Sequence, residues 1–391
     1  MGQFEEIQNI IKNLSPVFTT EIIDLNTTFG SILQEDIFAD GDMPPFHKSA
    51  VDGFACHSED LANELVVQET IQAGAVPAKT VGKNQCSKIM TGAMIPAGCD
   101  CVFMVEDAEK TGENSVRCTN PNTRKNICYQ GEDYKTGEML IRKGTIVNVS
   151  QMAVLAGVGK TKVRVSALPK IALIATGSEL VEPHEKPLPG KIRNSNASQL
   201  ISQLKKMNFD VNYIGLANDN FEELTRLFTE TMKNHEIVIF TGGASVGDFD
   251  FIPEILKQQG FEIFWTRTGM KPGNPMTFSK KGEKYVFGLS GNPVSSLVQF
   301  ELIAKPALYQ LSGAEYQPLR IKVPLSFDFK QRKADRLILI PVTINNNGEV
   351  ESIPFNGSAH INSLVYASAL MEVQPGQTEI NQGENVYVRP L

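Results

Sequence analysis

The sequence predicts a multidomain α/β protein. Its centre is a three-layer αβα domain with a mainly parallel sheet, joined by an inserted β-rich domain, an N-terminal helical/linker domain and a small C-terminal all-β domain. Three observations carry this. Over residues 169–312 apolar, β-rich runs alternate with helical patterns, which implies right-handed crossovers and a sheet covered on both faces. Over about 40–140, short β-like runs are split by Gly, Pro and Asn turns, the pattern of a small β-rich domain. A chain of 391 residues is too long for one hydrophobic core.

Taken in order, the chain opens with Phe4, Ile7, Ile10, Ile11 and Leu14 at the spacing of an amphipathic helix. This stretch lacks the basic start and unbroken apolar core of a signal peptide, and no later run has the length of a membrane span. The cytoplasm and no membrane partner are expected. Residues 1–38 are expected to form one domain with 139–168, where MAVLAGVG reads as a short helix ending in Gly. The β-rich domain then occupies 39–138. Within 169–312 the strands are KIALIATG, FDVNYIGL, EIVIFTGG, FEIFWT and KYVFGLSG, with helices near 195–207, 219–234, 252–259 and 294–311. In 313–391, RIKVPLSF, RLILIPVTI and ENVYVRPL read as strands of the all-β domain.

Composition narrows the function. The apolar fraction of 41% and charged fraction of 21% are those of a globular protein. A net charge of −7 opposes broad contact with a nucleic-acid backbone, so no nucleic-acid partner is expected. A small anion remains an option, because a local pocket can oppose the global sign. The six cysteines contain no C-x2-C pair and read as small buried hydrophobes in a reducing compartment.

Ligands of an open parallel sheet bind outside the carboxyl ends of its strands. There the sequence sets Thr176-Gly177-Ser178-Glu179, then Thr241-Gly242-Gly243-Ala244-Ser245-Val246-Gly247-Asp248-Phe249-Asp250. Lys271-Pro272-Gly273-Asn274-Pro275 follows the fourth strand and Ser290-Gly291-Asn292-Pro293 the fifth. Glycine lets backbone N–H groups approach an oxyanion, and a helix start adds its positive dipole end. Asn292 suits a cap and Pro293 a first helical position. Any one of these loops reads equally well as a plain turn; four on one edge point to a phosphate-type ligand. The acids Glu179, Asp219, Asp248 and Asp250 beside such turns fit Mg2+, which takes one or two carboxylates plus phosphate oxygens. Lys271 supplies the opposite charge. In the β-rich domain the irregular stretch from Met43 to Ala55, with Ser49 and Asp52, and the segments Met90-Thr91-Gly92-Ala93 and Gly131-Glu132-Asp133 again place polar groups beside glycine.

Eight motifs in order carry a resemblance: SAVDGFA (49–55), MTGA (90–93), GED (131–133), TGSEL (176–180), NSN (194–196), TGGASVGDFDF (241–251), KPGNP (271–275) and GNPVS (291–295). Across nearly its whole length the chain resembles the MoeA family of molybdopterin molybdenumtransferases, whose eukaryotic relatives include the C-terminal part of gephyrin. The resemblance implies insertion of molybdenum from molybdate into adenylylated molybdopterin, with Mg2+-dependent release of AMP. It also implies a homodimer whose site lies between the α/β domain of one subunit and the β-rich domain of the other, and contact with molybdopterin adenylyltransferase. By motif, Asp52, Glu179, Asp250 and Lys271 take catalytic roles, with Asp250 and Glu179 on the metal. Thr91, Asp133, Asp219, Gly242, Gly243, Ser245, Gly247, Asp248, Gly291, Asn292, Pro293 and Ser358 line the substrate. Two departures stand out. Many relatives carry an arginine-rich run where this chain has Ile127-Cys128-Tyr129-Gln130, and many bacterial relatives have a second lysine at Asn274. Two other classes compete: a molybdopterin adenylyltransferase-like enzyme, and a non-catalytic dimeric scaffold.

Overall fold

The structure, a computed structural model, describes residues 3–120, 122–243 and 251–391. Its central sheet has six strands: Ile171–Thr176 (β1), Val211–Ala217 (β2), Ile237–Thr241 (β3), Glu262–Arg267 (β4), Pro275–Lys281 (β5) and Lys284–Leu289 (β6). They lie in the order β2-β1-β3-β6-β5-β4. The first four are mutually parallel, and β5 and β4 add antiparallel. Every residue of β1 and β3 is buried, as continuous apolar runs in a sheet covered on both faces must be.

Alternation along these strands builds two cores. Ile171, Leu173, Ile237, Ile239 and Phe287 face one side, where helices Asn196–Lys206 (α1) and Pro293–Gln299 contribute Leu200, Leu204 and Val298. Ala172, Ile174, Val238, Phe240 and Val286 face the other. There they meet Leu224 and Phe228 of Phe221–Thr231 (α2) and Ile252, Ile255 and Leu256 of Ile252–Gln258 (α3). Successive strand side chains point to opposite faces, so one strand feeds both layers. Each fully buried Leu, Ile or Phe contributes about 1.5–3 kcal/mol. Helix Gln3–Lys12 adds Ile7 and Ile11 to the first core.

Two local features differ from the sequence reading. A strand, β5, runs where the reading places only the end of a loop, and it makes β4 an antiparallel edge strand. The connection over 268–274 is too short for a crossover, which needs a dozen residues or more. The helix expected over 294–311 is broken into Pro293–Gln299 (α4), a wider π turn over Phe300–Ala304, and Lys305–Leu311 (α5). Pro306 has no N–H to donate and its ring crowds the preceding turn; a π turn is one way a helix absorbs this.

The chain divides into two compact units. One holds the chain up to Glu35, Lys143–Val149 and everything from Lys162 on; the other holds Asp36–Arg142 and Ser150–Thr161. In the first unit a second sheet runs in the order Met270–Lys271, Leu337–Ile344, Ala369–Val373, Asn385–Pro390, Ile321–Pro324. It has its own core around Val323, Val342, Met371 and Val388. Buried Glu372 in this sheet pairs with both Arg320 and Arg389. The other unit is built on a six-stranded sheet: Cys101–Met104, Gly53–Cys56, Gln85–Ile89, Glu64–Ile71, Ser115–Cys118, Ala108–Lys110. Cys56, Cys86, Cys101 and Cys118 are buried in its core beside Phe54 and Phe103, and all six cysteines are free thiols. No helix among the described residues is long and apolar enough to cross a membrane.

Candidate functional site

Strand ends determine where the site forms. At the carboxyl edge of the central sheet the chain turns sharply after β3, and Gly242 adopts a positive φ of 94°. A Cβ there would sit 2.1 Å from the Thr176 carbonyl oxygen at the end of β1, so only glycine lets the two strand ends approach so closely. The Gly242 N–H donates to the Leu289 carbonyl at 3.0 Å, closing β3 against β6. Buried Asn196, at the start of α1, donates its amide to Thr241 Oγ1 at 2.9 Å and to the Gly291 carbonyl at 2.8 Å. Three turns are thereby held side by side around a cavity of about 890 Å3, within the size range of small-molecule sites.

Glu179, Asp219, Gly242, Gly243, Lys271, Gly291, Asn292, Pro293 and Ser358 all line this cavity. The Glu179 carboxylate folds back on Gly177, where an added Cβ would lie 2.7 Å from its Oε2. Asp219 accepts the Ser178 N–H at 3.1 Å, and Lys191 donates to the Ser178 carbonyl. Lys271 is exposed to the cavity and pairs, through Met270–Lys271, with Leu337–Ile338 of the second sheet. That sheet also delivers Ser358, whose carbonyl accepts the Val294 N–H at 3.0 Å. Ser245, Gly247, Asp248 and Asp250 lie outside the described residues.

The structure corrects one detail of the loop reading. Pro293 does occupy the first turn of α4, but Asn292 makes no side-chain cap bond. Its N–H is engaged as well, donating to Ser290 Oγ at 3.2 Å. Two cationic residues missed by sequence reasoning also line the cavity, Arg193 and Arg336. Neither sits in a glycine turn; Arg193 precedes the NSN motif and Arg336 ends a mixed charged run ahead of an apolar strand, so nothing local sets them apart. Asn274, at the position of the second lysine in many relatives, has a structural use. Its side chain accepts the Gly269 N–H at 3.1 Å and its carbonyl the Thr268 N–H at 2.8 Å.

In the β-rich unit, Asp52 and Thr91 come together. Asp52 Oδ1 accepts the Thr91 N–H at 2.6 Å and the Thr91 hydroxyl at 2.7 Å. The backbone bond first, and the hydroxyl second, hold the Asp52 carboxyl below its ordinary range. Ser49 exchanges backbone bonds with Gly92 and Ala93, while Lys48–Ser49 pairs with Ile127–Cys128, so two of the motifs and the 127–128 segment share one region. Asp133 is exposed and donates its N–H to the Met43 carbonyl at 3.0 Å. At the arginine-run position, burial and the neighbouring Glu132 push the Cys128 thiol up, which leaves an uncharged group there. Lys125 is engaged by Asp100 at 3.3 Å.

Among the described residues no group of three or more His, Cys, Asp or Glu is arranged to hold a metal. Glu179 and Asp219 nonetheless give the cavity two hard carboxylate donors. That set fits Mg2+, which keeps several waters and needs only one or two protein carboxylates beside substrate phosphates.

Known proteins resemble this chain along nearly its whole length. Residues 3–159 match the MoeA N-terminal region (domain I and II), 172–310 a probable molybdopterin binding domain, and 322–391 the MoeA C-terminal region (domain IV). A molybdopterin molybdenumtransferase of Staphylococcus epidermidis is 39% identical over 98% of this chain and 94% of its own length. One from Staphylococcus aureus is 37% identical over the same shares. The crystal structure of the molybdopterin biosynthesis moeA protein from Pyrococcus horikoshii OT3 superposes with a TM-score of 0.83 at 30% identity, covering 100% of both chains. This chain belongs to the MoeA family of molybdopterin molybdenumtransferases.

Proposed function

We propose that the protein inserts molybdenum from molybdate into adenylylated molybdopterin and releases AMP in a Mg2+-dependent reaction. The observation that carries this reading is the convergence of Lys271, the Gly242 and Gly291 turns, Ser358 and the carboxylates Glu179 and Asp219 on one cavity. Molybdate is a dianion and the adenylate adds phosphate charge. Lys271, Arg193 and Arg336 oppose that charge locally although the chain is net acidic. Hydrogen bonds from charged donors contribute about 1.5–3 kcal/mol each, so a few cations lining the cavity are enough to hold an oxyanion there. Glu179 and Asp219, with Asp250, would hold Mg2+; bound there, the cation would polarise the adenylate phosphate as a Lewis acid. The chain's own residues position the substrates and balance charge, and no nucleophilic side chain is required.

The homodimer and a shared site belong to the same proposal. Asp52, Thr91 and Asp133 of one copy would complete the cavity of another, and molybdopterin adenylyltransferase would supply the substrate. The decisive experiment measures AMP release from adenylylated molybdopterin with molybdate and Mg2+ present or withheld. Release that needs both is expected. AMP transfer from ATP to molybdopterin would instead identify an adenylyltransferase, and failure to bind the pterin at all a scaffold.

A further inference from the structure

The groups assigned to the oxyanion lie on two separate turns. Lys271 belongs to the 271–275 turn, and the Gly291 N–H belongs to the turn over 290–292. One side chain touches both. Gln299, the last residue of α4, has 0% of its surface exposed. Its Nε2 donates to the Gly273 carbonyl at 3.0 Å and to the Pro275 carbonyl at 2.6 Å. Its Oε1 accepts the Ser290 N–H at 2.8 Å.

The contact is steric as well as polar. A Cβ at Gly273 would lie 3.0 Å from Gln299 Cγ, so the lysine turn rests directly on this side chain. The Gly273 carbonyl takes a second donor, the hydroxyl of fully buried Thr268, at 2.7 Å. Burying a carboxamide is unfavourable unless its donors and acceptor are all paired. A leucine or methionine could fill the same volume in this core. What neither could do is join two turns that meet only through tertiary packing.

We infer that Gln299 is a positioning residue of the molybdenum transfer. It sets the lysine turn against the Ser290 turn so that the ammonium group and the Gly291 N–H close on one oxyanion. The inference rests on the proposed reading of Lys271 as a cation opposing the substrate charge in this cavity, and takes molybdate as the oxyanion it meets. Small displacements of positioned groups are expensive in catalysis. Loss of Gln299 therefore acts chiefly on the oxyanion, and less on the pterin held elsewhere in the cavity.

The test follows AMP release by the full chain across a molybdate titration with adenylylated molybdopterin and Mg2+ saturating. Gln299→Met is expected to raise the half-saturating molybdate concentration about tenfold, equivalent to about 1.4 kcal/mol, with a smaller fall in the rate at saturating molybdate. Ile255→Val, in the opposite core, is a control for lost stability alone and should leave half-saturation where it is. An unshifted Gln299→Met beside a shifted Lys271→Ala would overturn the inference and leave the lysine assignment standing. An unshifted Lys271→Ala would remove both. If Gln299→Met does not fold, Thr268→Val removes the other donor to the same carbonyl. A shift in the same direction supports the positioning role, and none refutes it.

Discussion

At the scale of single residues, the polar groups of this protein are set by their backbone partners more than by one another. Asp52 is the clearest example, since its carboxylate receives both the N–H and the hydroxyl of Thr91. Its folded-state pKa is lowered, so the bond stabilises the fold at neutral pH and that contribution is lost as pH falls through the depressed value. Thr91→Val keeps the backbone bond and deletes the hydroxyl. The Asp52 titration, followed by carboxyl NMR, is expected to move part of the way up toward an ordinary carboxylate. No movement would mean that the backbone N–H alone holds it down. Both residues stood out in the sequence because each neighbours a glycine. Gln299 did not, because a glutamine on a helix carries no local sign of what it reaches.

Individual elements follow local rules where their ends are exposed and depart from them where packing takes over. Helix α2 begins as its sequence dictates. Asn220 accepts the Glu223 N–H at 2.9 Å, and Glu222 and Glu223 sit in the first turn, where acids favour the helix dipole. Asn220→Ala is expected to lower stability by about 1 kcal/mol, measured by chemical denaturation; an unchanged midpoint would show that tertiary contacts alone hold this end. Strand β5 shows the opposite case. Thr277 and Ser279 are fully buried between apolar neighbours, and Pro275 opens the strand, so neither alternation nor an unbroken apolar run announces it. The lysine turn depends on this strand, because β5 returns the chain along the sheet and leaves 271–275 at the cavity.

For the whole molecule, the α/β unit carries Glu179, Lys271 and Ser358, while the β-rich unit carries Asp52, Thr91 and Asp133. The proposed sharing of a site between copies makes a prediction at this scale. Asp52→Ala and Glu179→Ala proteins, each inactive alone, should regain part of the AMP-release activity when unfolded together and refolded as a mixture, because some dimers then hold one intact site. A mixture as inactive as either parent would confine the site to one chain.

The sequence by itself determined the central architecture and the family. Apolar runs of strand length alternating with helical periodicity leave few ways to bury their surface, and glycine turns at strand ends are fixed by backbone geometry that is local to each turn. Glu179, Asp219, Lys271 and the Gly291 turn were legible for that reason. Only the tertiary structure brought Arg193 and Arg336 to the cavity and seated the lysine turn on Gln299. Those contacts join residues far apart in the chain, and their energy comes from packing and hydrogen-bond pairing between separate elements. No local pattern records such a pairing.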